Sequence, residues 1–164
     1  MPTAIMVDLG YDELITAINE GHARYEATQA RGAKSNGPRN QSRDNDTIGV
    51  MGEMAFAKWS GLEWTASKGA TYDSLGADVG ELEVRTRRMN SDKNLTLKFS
   101  AQYKYPDSRL YVLAWATPYD PMVYLVGYTS LEMIRVYGEI RHDWSCYSFN
   151  YKDLNDLREL FHGR

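Results

Sequence analysis

The chain has 164 residues, 43% hydrophobic and 25% charged, enough for one compact domain with its own core and no disulfide or zinc support. Its single cysteine, Cys146, excludes an intramolecular disulfide and any zinc site needing two cysteines from one chain, and it favours a cytoplasmic setting. The net charge of −3 speaks against a protein that coats nucleic acid by bulk charge.

The N-terminal residues Met1 to Asp8 lack the basic and apolar regions of a signal peptide. Tyr11 to Ala30 reads as a first helix, with Leu14, Ile15, Ile18, His22 and Tyr25 at helical spacing. Asp8 or Asp12 can start it and Gly32 can end it. Gly32 to Asp46 is rich in Gly, Asn, Ser and Arg and reads as a basic loop. A second helix is predicted from about Asp46 to Trp59, with Asp46 or Thr47 as a good N-cap and Ser60-Gly61 as its stop. Leu62 to Ser67 reads as a short strand and Lys68 to Gly76 as a loop. Leu82 to Arg88 alternates, with Leu82, Val84 and Thr86 on one face and Glu83, Arg85 and Arg87 on the other. Leu95 to Ala101 alternates too.

Arg109 to Thr117 and Met122 to Tyr128 read as buried strands joined by a Pro-Tyr-Asp-Pro turn. The apolar run Leu110 to Ala116 is far too short to cross a bilayer, so no membrane partner is expected. Leu131 to Tyr137 is a short helix opened by Thr129 or Ser130, and Tyr151 to Phe161 reads as a final amphipathic helix. The expected fold is α/β, a central mixed sheet flanked by helices. Residues 1–46 form an N-terminal helix and basic loop, 47–137 the core, and 138–164 a C-terminal helical extension of a single domain.

Charge is distributed unevenly along this order. From Arg24 to Arg43 five basic residues (Arg24, Arg31, Lys34, Arg39, Arg43) accompany one acid, Glu26. From Arg85 to Lys104 six (Arg85, Arg87, Arg88, Lys93, Lys98, Lys104) accompany one acid, Asp92. Such stripes are either solvated faces or local phosphate-binding surfaces on an acidic protein. Tyr103 and Tyr105, beside Lys104, have the interleaving that stacks on bases, although most aromatics of the chain belong to the core.

Three acids stand out. Glu53 is the only charged residue from Ile48 to Ala57, and its helical neighbours Gly49, Val50, Phe56 and Ala57 cannot pair with it. A carboxylate on so apolar a helix either reaches solvent at an edge or needs a cation, a backbone group or a metal. Glu83 and Arg85 share a strand face, roughly 6.5 to 7 Å apart. Asp78 lies five residues earlier between Gly76 and Gly80, which let it turn toward Glu83. Two converging carboxylates beside a basic group make an oxygen-ligand site suited to Mg²⁺; the plain alternative is an exposed Glu–Arg pair.

The order of these residues resembles the core of the PD-(D/E)XK, restriction-endonuclease-like nuclease superfamily. Gly52-Glu53-Met54-Ala55-Phe56-Ala57 resembles the helix that carries the family's first acid. Gly76-Ala77-Asp78-Val79-Gly80 followed by Leu82-Glu83-Val84-Arg85-Thr86 resembles its acidic hairpin. The likeness spans roughly residues 47–137, and the small size is similar to phage-encoded members.

The resemblance implies a metal site of Asp78, Glu83 and Glu53 holding Mg²⁺, with Mn²⁺ as a substitute, and Mg²⁺-dependent hydrolysis of DNA phosphodiester bonds, endo- or exonucleolytic. Glu53, Asp78, Glu83 and Arg85 would be catalytic and would converge in one cleft, while Arg39, Arg43, Arg87 and Arg88 would hold the DNA backbone. A homodimer is left open by the sequence. Two departures stand against the pattern: Ala77 replaces the motif proline, and Arg85 occupies the lysine position. Arginine keeps its proton and cannot serve as a general base, but it can orient water or stabilise charge on phosphorus. A nuclease-fold protein with weak or no catalysis that binds nucleic acid or another protein is the alternative.

Overall fold

A computed structural model describes residues 2–30, 43–65 and 78–161. Asp8 accepts the Gly10 N–H at 2.8 Å, and helix α1 runs Gly10–Ala30. Its inward stripe is Leu14, Ala17, Ile18 and Gly21, whereas Ile15 points to solvent. Helix α2 spans Arg43–Ser60, one turn earlier than Asp46 predicts, and is buried almost all round, as its apolar sequence requires.

Four strands form a mixed sheet in the order β1-β5-β4-β2, comprising β1 (Ile5–Asp8), β2 (Leu82–Arg88), β4 (Leu110–Ala116) and β5 (Met122–Ser130). β1 and β4 lie antiparallel to β5, while β2 runs parallel to β4 with Glu83 opposite Tyr111 and Arg85 opposite Leu113. A bulge leaves Val126 as the extra residue of β5. The turn into β5 carries Tyr119 at φ 68°.

The two faces of this sheet bury different clusters. On one, Val84, Val112, Ala114, Val123 and Leu125 pack against α2 and, through it, α1. Gly52 makes that contact possible: a Cβ there would collide with Thr86 Oγ1, so only glycine lets α2 rest directly on β2. On the other face Tyr111, Leu113, Trp115 and Val126 pack with Leu131 and Ile134 of α3 (Leu131–Tyr137) and with a second sheet. That sheet has the order β3-β7-β6, from β3 (Leu95–Lys98), β6 (Glu139–Arg141) and β7 (Cys146–Phe149), all antiparallel. Ser130 caps α3 by accepting the Met133 N–H at 3.2 Å.

The α/β class and the mixed, helix-flanked sheet stand as the sequence leads one to expect. Three elements differ. Leu62 to Thr65 form no strand, and residues 66 and 67 lie outside the described residues. Phe99–Tyr103 turns into a 3₁₀ segment instead of continuing β3. The C-terminal region is not a helical extension: it supplies β6 and β7, and Tyr151–Asp153 and Leu157–Phe161 are separate 3₁₀ turns. Leu154 and Leu157 are buried at helical spacing, but Asn155 between them bridges to Tyr128 as a strand would. Pairing with β5 outcompetes continuation of the helix. Among the described residues no helix is long and apolar enough to cross a membrane.

Candidate functional site

β2 is an edge of the four-stranded sheet among the described residues; it carries Glu83, Asp78 precedes it, and Glu53 belongs to α2. Asp78 sits in a tight turn where Val79 bridges Leu82 and Gly80 takes φ 57°. The turn folds the Asp78 carboxylate back so that Oδ2 accepts the Val84 N–H at 2.9 Å. Glu53 approaches from α2. Glu83, by strand alternation, points toward the face opposite Val84 and α2. The two glutamates thus leave from elements on opposite faces and share no partner among the described residues, so Glu53 does not converge with Glu83 and Arg85 in the one cleft expected; Asp78 feels the charge of both. Burial first, then the charges of Glu53 and Glu83, push its carboxyl up to about 7; Arg85 and the Val84 N–H oppose the rise.

Each glutamate has a guanidinium partner that inspection of the sequence missed. Arg24 of α1 grips Glu53 with two hydrogen bonds, Nη1 to Oε2 at 2.7 Å and Nη2 to Oε1 at 2.9 Å. Trp64 Nε1 donates to Glu53 Oε1 at 3.2 Å, and Arg24 also bonds the buried Glu20 at 3.3 Å. Burial alone would lower the Arg24 pKa, but Glu53 and then Glu20 hold it above the ordinary arginine value. Glu53 is therefore buried and paired with a cation, not an edge residue reaching water. At the other carboxylate, Arg109 Nη2 donates to Glu83 Oε1 at 2.5 Å, and Arg85 Nη1 stands 3.9 Å from Oε2. The Arg109 guanidinium lies 4.3 Å from the Tyr105 ring centroid and that of Arg85 5.8 Å from the Tyr111 centroid. Burial pushes the Tyr111 hydroxyl up to about 12, so it stays protonated.

The signals for Arg24 and Arg109 were present but weak. Arg24 follows Glu20 by four residues on a helix, and Arg109 is the one charge leading into an apolar strand. Neither spacing names its partner, 29 and 26 residues away.

Arg85 faces a cleft of about 690 Å³ between β2, β3, the 99–103 turn and the β6–β7 connection. Among the described residues four cations line it, Arg85, Arg87, Lys98 and Lys104, together with Tyr105 and Trp144. Cys146 also lines it; burial raises its thiol pKa, which makes it a poor nucleophile. Four of the six basic residues from Arg85 to Lys104 thus line one concave surface, whereas Lys93 sits over the Trp115 ring at 4.9 Å and Arg88 turns away.

The other predicted backbone-binding arginines do not form one stripe. Arg87 bonds the Asp92 carbonyl at 2.9 Å and Thr96 Oγ1 at 3.2 Å, on the cleft side. Arg88 turns to the opposite face, where Nε donates to Asn45 Oδ1 at 3.1 Å. Arg43 begins α2, its guanidinium 5.1 Å from the Tyr25 ring centroid. Arg39 lies outside the described residues. Comparison with protein-family models, curated proteins and solved structures finds no match to this chain.

Proposed function

We propose that this chain is a restriction-endonuclease-like nuclease that hydrolyses DNA phosphodiester bonds with Mg²⁺. The observation that carries the reading is the junction of two surfaces at Arg85: on one side Asp78 with Glu83, on the other a cleft lined by four cations among the described residues. A polyanion in the cleft would present a phosphate next to the acids.

The donor set suits a hard cation that keeps several waters. Mg²⁺ is commonly held by one or two carboxylates plus substrate phosphate, and Asp78 and Glu83 supply such a pair. Among the described residues no three acids or histidines are grouped closely enough to hold a metal, and both oxygens of Glu53 are occupied by Arg24. Glu53 therefore acts on the site through its charge, and Arg24 with Trp64 fixes where that charge sits. The ion, when bound, would polarise the phosphate and lower the pKa of its water. Arg85, 41% exposed, stabilises negative charge on the phosphate oxygens and cannot accept the proton of the attacking water. The carboxyl of Asp78, pushed up to about 7 without an ion, would be held ionised by a bound cation and would serve as a ligand, not as the base. Arg109 holds the Glu83 carboxylate in register.

A non-catalytic reading is favoured by one specific observation, the closure of Glu53 and Glu83 by arginines in place of a lysine base. The test is incubation with plasmid and single-stranded DNA in Mg²⁺, Mn²⁺ or EDTA, beside Asp78→Asn. Metal-dependent cleavage lost in the variant is expected. DNA retention with no cleavage in any metal would establish the binding-only reading.

A further inference from the structure

The cleft beside Arg85 has a composition that the hydrolytic chemistry alone does not need. Two of its lining side chains are aromatic. Trp144 is 55% exposed, an unusual placement for the largest apolar side chain, and one face of its indole is covered by the Arg141 guanidinium at 4.2 Å. Tyr105 is held by Arg109, itself bonded to Glu83. Both rings are therefore fixed by cations that belong to the protein, and the same cleft carries Arg85, Arg87, Lys98 and Lys104. No acidic side chain is among the described residues that line it.

Fixed rings interleaved with cations recognise a strand whose bases are available for stacking. In a duplex the base faces are already buried against one another, and only phosphates and groove edges are offered. A cleft of about 690 Å³ is the size of a small-ligand site, suited to one or two unpaired nucleotides. We propose that this cleft binds unpaired DNA, with a base stacked on Trp144 and the phosphates running across Lys98, Lys104 and Arg87 toward Arg85. The proposal deepens the nuclease reading and rests on it for the nature of the ligand, but not for any catalytic step.

The experiment measures anisotropy of labelled oligo-dT and of a duplex of equal length, in EDTA, across a salt series. Oligo-dT is expected to bind at least about tenfold more tightly than the duplex, with a log–log salt slope of about −2 to −3 for four cations at about −0.7 each. Trp144→Ala should weaken oligo-dT about tenfold, the lower range for loss of one stacked base, while Trp144→Phe restores most of the affinity. Trp144 is half exposed, so thermal melts of both variants should match the wild type. Lys98→Gln with Lys104→Gln should flatten the slope by about 1.4. Equal or tighter binding of the duplex, or an unchanged affinity in Trp144→Ala, overturns the proposal. Because the assay contains no metal, strand binding without any cleavage in Mg²⁺ would overturn the nuclease reading and leave this one standing.

Discussion

Replacing Asp78 by asparagine should make the metal-free protein more stable at alkaline pH, the reverse of what loss of a useful carboxylate does. The folded carboxyl is pushed up to about 7 from an ordinary 3.8. Between those values the folded chain holds a proton that the unfolded chain has released, so stability falls as pH rises through this window. Each pH unit inside it is worth about 1.36 kcal/mol. From pH 5 to pH 8 the wild type crosses about two such units, a loss of about 2 to 3 kcal/mol, and asparagine, which does not titrate, is spared it. The asparagine side chain keeps an oxygen to accept the Val84 N–H, so the turn is preserved. In a chain of this length about 1 kcal/mol moves Tm by about 2–4 °C. The Tm advantage of Asp78→Asn over wild type should therefore grow by about 5–10 °C between pH 5 and pH 8, read by circular dichroism melts in EDTA. A difference that stays constant with pH, or a variant that is less stable at pH 8, would mean that Arg85 and the backbone outweigh burial and the glutamate charges at this position.

Arg109→Ala removes the main partner of Glu83, whose side chain is 6% exposed, and should cost about 3–5 kcal/mol in urea unfolding. Arg109→Met with Glu83→Leu should recover most of that loss, whereas a single-variant cost below about 1 kcal/mol would show that water reaches the carboxylate. Gly52→Ala adds a Cβ that collides with Thr86 Oγ1, so overpacking of about 1–3 kcal/mol exceeds the gain of about 1 kcal/mol from alanine as a helix former. A net loss on thermal denaturation that is reduced by adding Thr86→Ala is the expected result, and a Gly52→Ala variant more stable than wild type would show that α2 does not rest on β2. Arg24→Met, which leaves the buried Glu53 only the Trp64 N–H among the described residues, should also lose several kcal/mol in the same assay, and an unchanged midpoint would contradict a rigid clamp.

What the sequence made legible follows from the range over which its signals act. β2 and α3 are set by alternation and by a local cap, and they span the expected residues, Leu82–Arg88 and Leu131–Tyr137. The isolation of Glu53 correctly demanded a partner, since an apolar helix cannot solvate a charge. The identity of that partner was not legible, because Arg24 lies on another helix and reaches Glu53 only through the packing of α1 on α2. β1 was unread because its four residues, Ile5–Asp8, carry too little alternation to distinguish a strand from an N-terminal arm; pairing with β5 creates it. The C-terminal leucines were read as helical because Leu154 and Leu157 are three apart, a spacing that the bridge between Asn155 and Tyr128 also satisfies. The basic stretch from Arg85 to Lys104 was visible as composition, but its concavity arises from the approach of the β6–β7 connection, which brings Trp144 about 60 residues along the chain to Arg85.

Charges along β2 also admit a plain structural explanation. An edge strand needs them to discourage pairing with another chain, and Arg85 and Arg87 would serve. That explanation requires charges in water, and it accounts for neither Glu83 nor Arg109, which are 6% and 14% exposed. Burying such a pair costs desolvation that their attraction at best offsets, so well-packed apolar residues would hold this edge as firmly or more so. Nor does edge protection explain Asp78, whose burial first, and then the charges of two glutamates, destabilise its own charged form. A solvated edge would show carboxylates and arginines reaching outward into water. Around β2, instead, burial disfavours the charged form of Asp78 and Glu83 is buried in an ion pair, and such groups concentrate at sites of binding and chemistry. On the function proposed above, a phosphate chain bound in the basic cleft at the same strand would meet Glu83 where Arg85 separates it from the other cations.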